Sequence, residues 1–219
     1  GFRHAKHANP GSQENAKEWK RNIRLGYQID SNRTGMESFP FLEVNMIYFT
    51  ADPHFFHDKI IKHTHRPFHT VEEMNKTLIK KWNSRITPND EVYILGDLTM
   101  KGADIASTVL YSLKGKKYLI RGNHDSFVDS SDFDRSLFVS VRDYMEIEYC
   151  NTHFVLFHYP IAEWHGYGRG AIALHGHQHN HKDYNIKNQK NGFMRYDVGV
   201  DANDMAPVSA EEIIHFFGG

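Results

Sequence analysis

Five short apolar runs in this chain each end on a cluster drawn from Asp, Asn, Gly and His, and that repetition restricts the fold more than any other feature. Met46–Thr50 is followed by Asp52-Pro53-His54, Glu91–Leu95 by Gly96-Asp97, and Lys117–Arg121 by Gly122-Asn123-His124-Asp125. Thr152–Phe157 leads into His158, and Ala171–Leu174 into His175-Gly176-His177-Gln178-His179. Short β-rich runs bounded by turn-formers read as buried strands. Open α/β sheets collect their ligand sites at the C-terminal ends of such strands, so the five clusters are expected on one side of the molecule.

Helical patterns separate the first three runs. Thr70-Val71-Glu72-Glu73 is a capping box, and Val71, Met74, Leu78, Trp82 and Ile86 recur at helical spacing, which predicts a helix over 71–85. Ile105, Val109 and Leu113 predict a second, Ala103–Leu113. The resulting βαβαβ order implies parallel pairing. The second half reads mainly as sheet: Val139–Cys150 as one strand, then Thr152–Phe157, Ala171–Leu174 and Phe193–Val198. A last helix, Ser209–Phe217, opens with a second capping box, Ser209-Ala210-Glu211-Glu212.

Residues 1–45 differ in texture, with turn-formers and no strong periodicity beyond a thin helical pattern over Glu14–Leu25. They are expected to be an N-terminal extension, a non-native leader or poorly ordered, with 46–219 as the domain. A genuine appendage packed on the domain is the alternative.

Composition excludes several classes. With 219 residues, 40% hydrophobic and 24% charged, the chain has an ordinary globular make-up. Its 26 Lys and Arg against 27 Asp and Glu make no basic field, so long nucleic acid is disfavoured as a partner. No run approaches the roughly 18 apolar residues of a membrane span, and no signal-peptide pattern opens the chain. A single cysteine, Cys150, excludes a disulfide framework and fits a reducing compartment; it is expected as a small buried hydrophobe. The protein therefore reads as cytoplasmic, and the sequence says nothing of self-association. The anomaly is 16 histidines, since imidazole is the commonest metal ligand.

Taken singly, each cluster has a plain reading as a turn or a solvated loop. Taken in order, they do not. Asp-x-His, Gly-Asp, Gly-Asn-His-Asp, His and Gly-His-x-His, in that succession over residues 46–219, resemble the calcineurin-like metallophosphoesterases, and in particular their small bacterial and phage-type branch. The resemblance implies an α/β four-layer α/β/β/α sandwich of two mixed sheets flanked by helices. It implies two divalent transition-metal ions sharing Asp97, one held also by Asp52, His54 and His179, the other by Asn123, His158 and His177. Nitrogen and oxygen ligands without thiolates favour Mn²⁺, Fe, Zn²⁺ or Ni²⁺, with Mn²⁺ taken first.

The same resemblance makes a metal-bridging hydroxide the nucleophile and His124 the acid at the leaving oxygen, with Asp125 fixing its tautomer. Arg121 is a candidate phosphate contact, though a surface ion pair is the equal alternative. His57 is a candidate substrate contact, with a plain helix-start histidine as its alternative. The loop Trp164–Gly170 reads either as a substrate lid or as a flexible connection. The expected activity is hydrolysis of small phosphorylated molecules, phosphodiesters ahead of monoesters. Leu98-Thr99-Met100 after Gly96-Asp97 lacks the Asp-Arg-Gly continuation of the family's protein phosphatases. The rival is a non-catalytic metal-binding scaffold, against which stands the presence of every expected ligand and of His124.

Overall fold

The computed structural model describes residues 45–218; the expectations for the N-terminal extension and the Glu14–Leu25 helix lie outside them. One sheet contains β1 (Ile47–Thr50), β2 (Glu91–Ile94), β3 (Lys116–Ile120), β4 (Ser140–Arg142) and β9 (Val208–Ser209), in the order β4-β3-β2-β1-β9. The first four strands run parallel and β9 antiparallel to β1. The second sheet has the order β5-β6-β7-β8, from β5 (Tyr144–Tyr149), β6 (Thr152–Phe157), β7 (Ile172–His175) and β8 (Arg195–Asp197). Here β5 and β6 are antiparallel, and β6, β7 and β8 parallel. Helices α1 (Asp58–His63), α2 (Val71–Arg85), α3 (Ala103–Ser112), α4 (Lys182–Lys190) and α5 (Ala210–Phe216) flank the sheets. This is the expected α/β class with two mixed sheets.

Alternation along the strands divides the interior. Tyr48, Val92, Ile94 and Leu119 face the helix side, where Met74, Leu78 and Trp82 of α2 and Ala106, Val109 and Leu110 of α3 meet them. Their neighbours Phe49, Tyr93, Leu95 and Ile120 face the other way, against Phe154, Leu156 and Leu174 of the second sheet. Period-two placement is what puts consecutive side chains into different layers. Burying each such large side chain stabilises the fold by about 1.5–3 kcal/mol.

Both predicted caps form. Thr70 accepts from the Glu73 N–H, although the Glu73 carboxylate reaches back to the N–H of His69. At Ser209 the capping box is reciprocal.

Several features differ from expectation, among them the strand β9 and the helix α1, which the sequence pattern does not mark. Val139–Cys150 is two strands, β4 in the first sheet and β5 in the second. Helix α4 was not predicted, because its buried residues are Asn185 and Asn188 rather than apolar ones. Asn185 docks it by bonding both the N–H and the C=O of Asp197. Cys150 is exposed, not buried. It sits with Asn151 in a two-residue hairpin turn, both at positive φ, the backbone pattern of a type I′ turn whose twist matches the flanking strands. Among the described residues no helix is long and apolar enough to cross a membrane.

Candidate metal centre

The strand ends of the two sheets are stitched to one another. Ala51, just past β1, donates its N–H to Val198 and accepts from Val200, while Asp52 donates to Gly96 and His54 to Asp97. Gly176 donates to the carbonyl of His158. Close backbone approach explains the glycines: a Cβ on Gly122 would stand 2.6 Å from the Asp97 nitrogen, and one on Gly176 would stand 2.5 Å from the Ala51 Cβ.

Two groups of side chains converge there. Ligand atoms of Asp52, His54 and His179 lie within 4.8 Å of one another, and so do those of Asp97, His158 and His177. Asn123 joins the second group, its Oδ1 being 3.1 Å from His158 Nε2. Five of these residues, Asp52, His54, Asp97, His177 and His179, adopt left-handed backbone angles, with φ from +49° to +70°. Such angles are uncommon outside glycine and cost about 1–3 kcal/mol each unless the surroundings enforce them.

The carboxylates divide their oxygens. Asp52 Oδ2 accepts from the His177 N–H at 2.8 Å, while Oδ1 is buried without a hydrogen-bond partner. Asp97 Oδ1 accepts from the His124 N–H at 2.9 Å, and Oδ2 stands 3.5 Å from His54 Nε2 and 3.6 Å from His158 Nε2. The imidazoles are oriented as well. His158 Nδ1 is 2.7 Å from the Leu95 carbonyl, and His179 Nδ1 is 2.9 Å from Asp201 Oδ2. An acceptor opposite Nδ1 puts the proton there and leaves the Nε2 lone pair facing outward.

Lone pairs therefore point at one another with no donor between them. Unpaired buried polar atoms are costly, and a cation satisfies this donor set. Electrostatics agree. Burial, with Asp197 and Asp97 close by, raises the Asp52 carboxyl well above its usual range, marking a surplus of negative charge. Burial and the neighbouring His179 and Arg66 depress His54 to about 2, keeping its ring neutral, as a metal ligand must be. Both its nitrogens are buried without partners.

A family model described as calcineurin-like phosphoesterase matches residues 46–198. The chain belongs to the calcineurin-like phosphoesterases. It is 38% identical over 177 residues to an uncharacterized protein of Methanocaldococcus jannaschii, covering 79% of this chain and 92% of that one. The gene 66 protein of Mycobacterium phage D29 is 28% identical, with 74% and 92% covered. Among solved structures, a protein of unknown function from Aquifex aeolicus aligns with TM-score 0.62 at 25% identity, over 78% of this chain and 98% of that one. As a calcineurin-like phosphoesterase the protein is a hydrolase of phosphoester bonds, and the seven side chains above are its candidate metal-binding groups.

Around them the remaining expectations divide. His124 and His57 stand beside the centre, their rings 5.6 and 5.5 Å from that of His54. Asp125 does not orient His124: its buried carboxylate accepts from the N–H groups of Gly122, Asp97 and Leu98. It braces the loop backbone instead, and burial raises its carboxyl to about 6. Arg121 is the surface-pair alternative, bound to Asp129. The Trp164 side chain is buried against Val155, Ala171 and Ala173 on the outer face of the second sheet, so it is not free to stack on a substrate.

Two residues of this calcineurin-like phosphoesterase escaped assignment from the sequence, Arg66 and Asp201. Arg66 Nε and Nη2 each donate to Asp201 at 2.8 Å, and further N–H groups reach the carbonyls of Pro53 and Asp52. The signal was an arginine in an otherwise apolar Arg66-Pro67-Phe68 stretch, with an aspartate after Val198-Gly199-Val200.

Proposed function

We propose that the protein is a dinuclear phosphoesterase acting on small phosphorylated molecules, phosphodiesters ahead of monoesters. The observation that carries this reading is the position of Asp97 Oδ2, 3.5 and 3.6 Å from imidazole nitrogens that belong to two different ligand groups. A carboxylate so placed serves both. In this reading Asp52, His54 and His179 hold one ion with Asp97, and Asn123, His158 and His177 hold the other. The mixed N and O donors suit Mn²⁺, Fe, Zn²⁺ or Ni²⁺, with Mn²⁺ first. When bound, such a pair supplies charge neutralisation at phosphorus and an acidified water as nucleophile.

The chain's own residues do the rest. His124 is anchored through its backbone N–H to Asp97, which holds the half-buried ring beside the centre, 5.6 Å from that of His54. That suits proton donation to the departing oxygen, a contribution of about 10²–10⁴-fold. His57, half-buried with its ring 5.5 Å from that of His54, is taken as a contact for a substrate oxygen in this reading. The arginines of the neighbouring loops are already engaged, Arg66 with Asp201 and Arg121 with Asp129. A monoester dianion needs more charge compensation than a diester monoanion, and neither arginine is free to add it, which favours diesters. The single free thiol, Cys150, is consistent with a cytoplasmic setting. Residues 46–219 are taken as the catalytic unit, and removing 1–45 should leave turnover intact.

The test is turnover of a chromogenic phosphodiester and of the matching monoester by the purified protein with Mn²⁺, Ni²⁺, Zn²⁺ or Fe²⁺. Faster diester hydrolysis supports the reading. Faster monoester hydrolysis overturns the preference, and no turnover of either with any metal makes the chain a scaffold.

A further inference from the structure

A third group of metal-type side chains lies outside the ligand set just described. Glu146 is on β5, His153 on β6, and His165 in the connection between β6 and β7; one ligand atom from each falls within 4.8 Å of the others. The sheet register explains the first two. Glu146 pairs with Val155 and Glu148 with His153, so all four side chains share one face. Val155 is buried against Trp164 and Ala173, which makes that face the outer one of the second sheet. Burying Trp164, with its Nε1–H donated to the Ala171 carbonyl, brings the next residue, His165, over Glu146.

We propose that Glu146, His153 and His165 bind a divalent transition metal, Zn²⁺ by preference, which fastens the 158–171 connection to the outer face of the second sheet. Glu146 Oε2 is 2.9 Å from His153 Nε2 and 2.8 Å from His165 Nδ1. Tetrahedral Zn²⁺ with bonds of about 2.0–2.1 Å places its ligand atoms about 3.3 Å apart, so small side-chain movements admit the ion. Two imidazoles and one carboxylate are an established zinc donor set that leaves a fourth position for water. The supporting groups are present. Tyr144 donates to Glu146 Oε1 at 2.6 Å, keeping Oε2 for the ion. With an ion on Nε2 the His153 proton moves to Nδ1, which faces the Glu148 carboxylate at 3.8 Å. His165 is 64% exposed and Glu146 29%, which gives an entry path.

The connection fastened in this way starts at His158 and continues with Tyr159, whose ring packs on those of His158 and His177. An ion at the third site therefore steadies the segment from its far side without touching the centre. It is a structural site.

The test is metal content of the full-length chain, stripped and then dialysed against micromolar Zn²⁺. The wild type should retain one molar equivalent more than His153→Ala/His165→Ala, with hydrolysis unchanged between them. In an Asp97→Asn background the extra equivalent should persist, and it should vanish when both histidines are also replaced. Zn²⁺ should also slow tryptic cleavage at Arg169 in the wild type and not in the double variant, and Glu146→Gln should weaken retention without altering circular dichroism. Equal metal content in wild type and double variant overturns the proposal. So does loss of the equivalent together with hydrolysis, which would assign the ion to the centre.

Discussion

The carboxylate of Asp201 accepts a hydrogen bond from His179 at 2.9 Å, and so joins a candidate metal ligand to a guanidinium buried beneath it. Burial would raise the Asp201 carboxyl, but hydrogen bonds from His179 and Arg66 outweigh it and hold the group at about 2. Asp201→Asn should therefore act twice. Leaving Arg66 without its charge partner should destabilise the fold by about 3–5 kcal/mol, and loosening His179 should weaken metal binding by about 10–100-fold. Urea unfolding of the metal-free protein and metal titration read the two effects separately. A variant unchanged in both would remove Asp201 from any positioning role.

Asp97 and His124 are neighbours with different expected losses. Asp97→Asn should lower metal content and turnover together. His124→Ala should keep the metal and reduce turnover by about 10²–10⁴-fold. Elemental analysis beside steady-state rates decides it, and equal metal loss in both variants would mean that His124 is a ligand rather than an acid.

Gly122→Ala should damage the centre without replacing a ligand. The new Cβ would stand 2.6 Å from the Asp97 backbone nitrogen and crowd the Asp97 carboxylate, and backbone cannot yield as a flexible side chain can. A loss of about 1–3 kcal/mol is expected from overpacking, with reduced metal retention at 25 °C. Normal retention would show that the two loops separate easily.

Acid should unfold the metal-free protein partly through His54. Its folded value of about 2 lies below the ordinary 6.5, so the unfolded chain binds an extra proton between those limits. Stability is then full above 6.5 and falls as the pH drops, by about 1.4 kcal/mol per unit for this one group. His54→Gln, which cannot titrate, should flatten the acid limb by that slope in urea unfolding with chelator present. Parallel limbs in the two proteins would contradict a neutral, buried ring.

The parts of the fold that were legible are those in which apolar periodicity and packing agree. Strands β1, β2 and β3 and helices α2 and α3 follow from side chains that alternate or recur toward one core. Where polar atoms do the docking, periodicity has nothing to read. Helix α4 is held by Asn185, and the division between β4 and β5 falls at Asp143 with neither Gly nor Pro to mark it. In the centre, strand order was enough to bring the clusters to one end, because a chain that pairs its strands in parallel carries their C-terminal ends to the same side. Side-chain direction was not readable. Asp125 follows His124 in the chain, yet its carboxylate turns inward to three backbone N–H groups. Asp201 does its work through an arginine 135 residues away.

The left-handed backbone at Asp52, His54, Asp97, His177 and His179 limits how this centre can be re-engineered. At those five positions the main chain itself admits only a few residue types, chiefly Asp, Asn, His and Gly. A β-branched or bulky replacement would strain the loop before any question of coordination arose. Retuning the metal preference is therefore easier at Asn123 or His158, where φ is negative, than at the residues whose conformation the loops have already spent energy to hold.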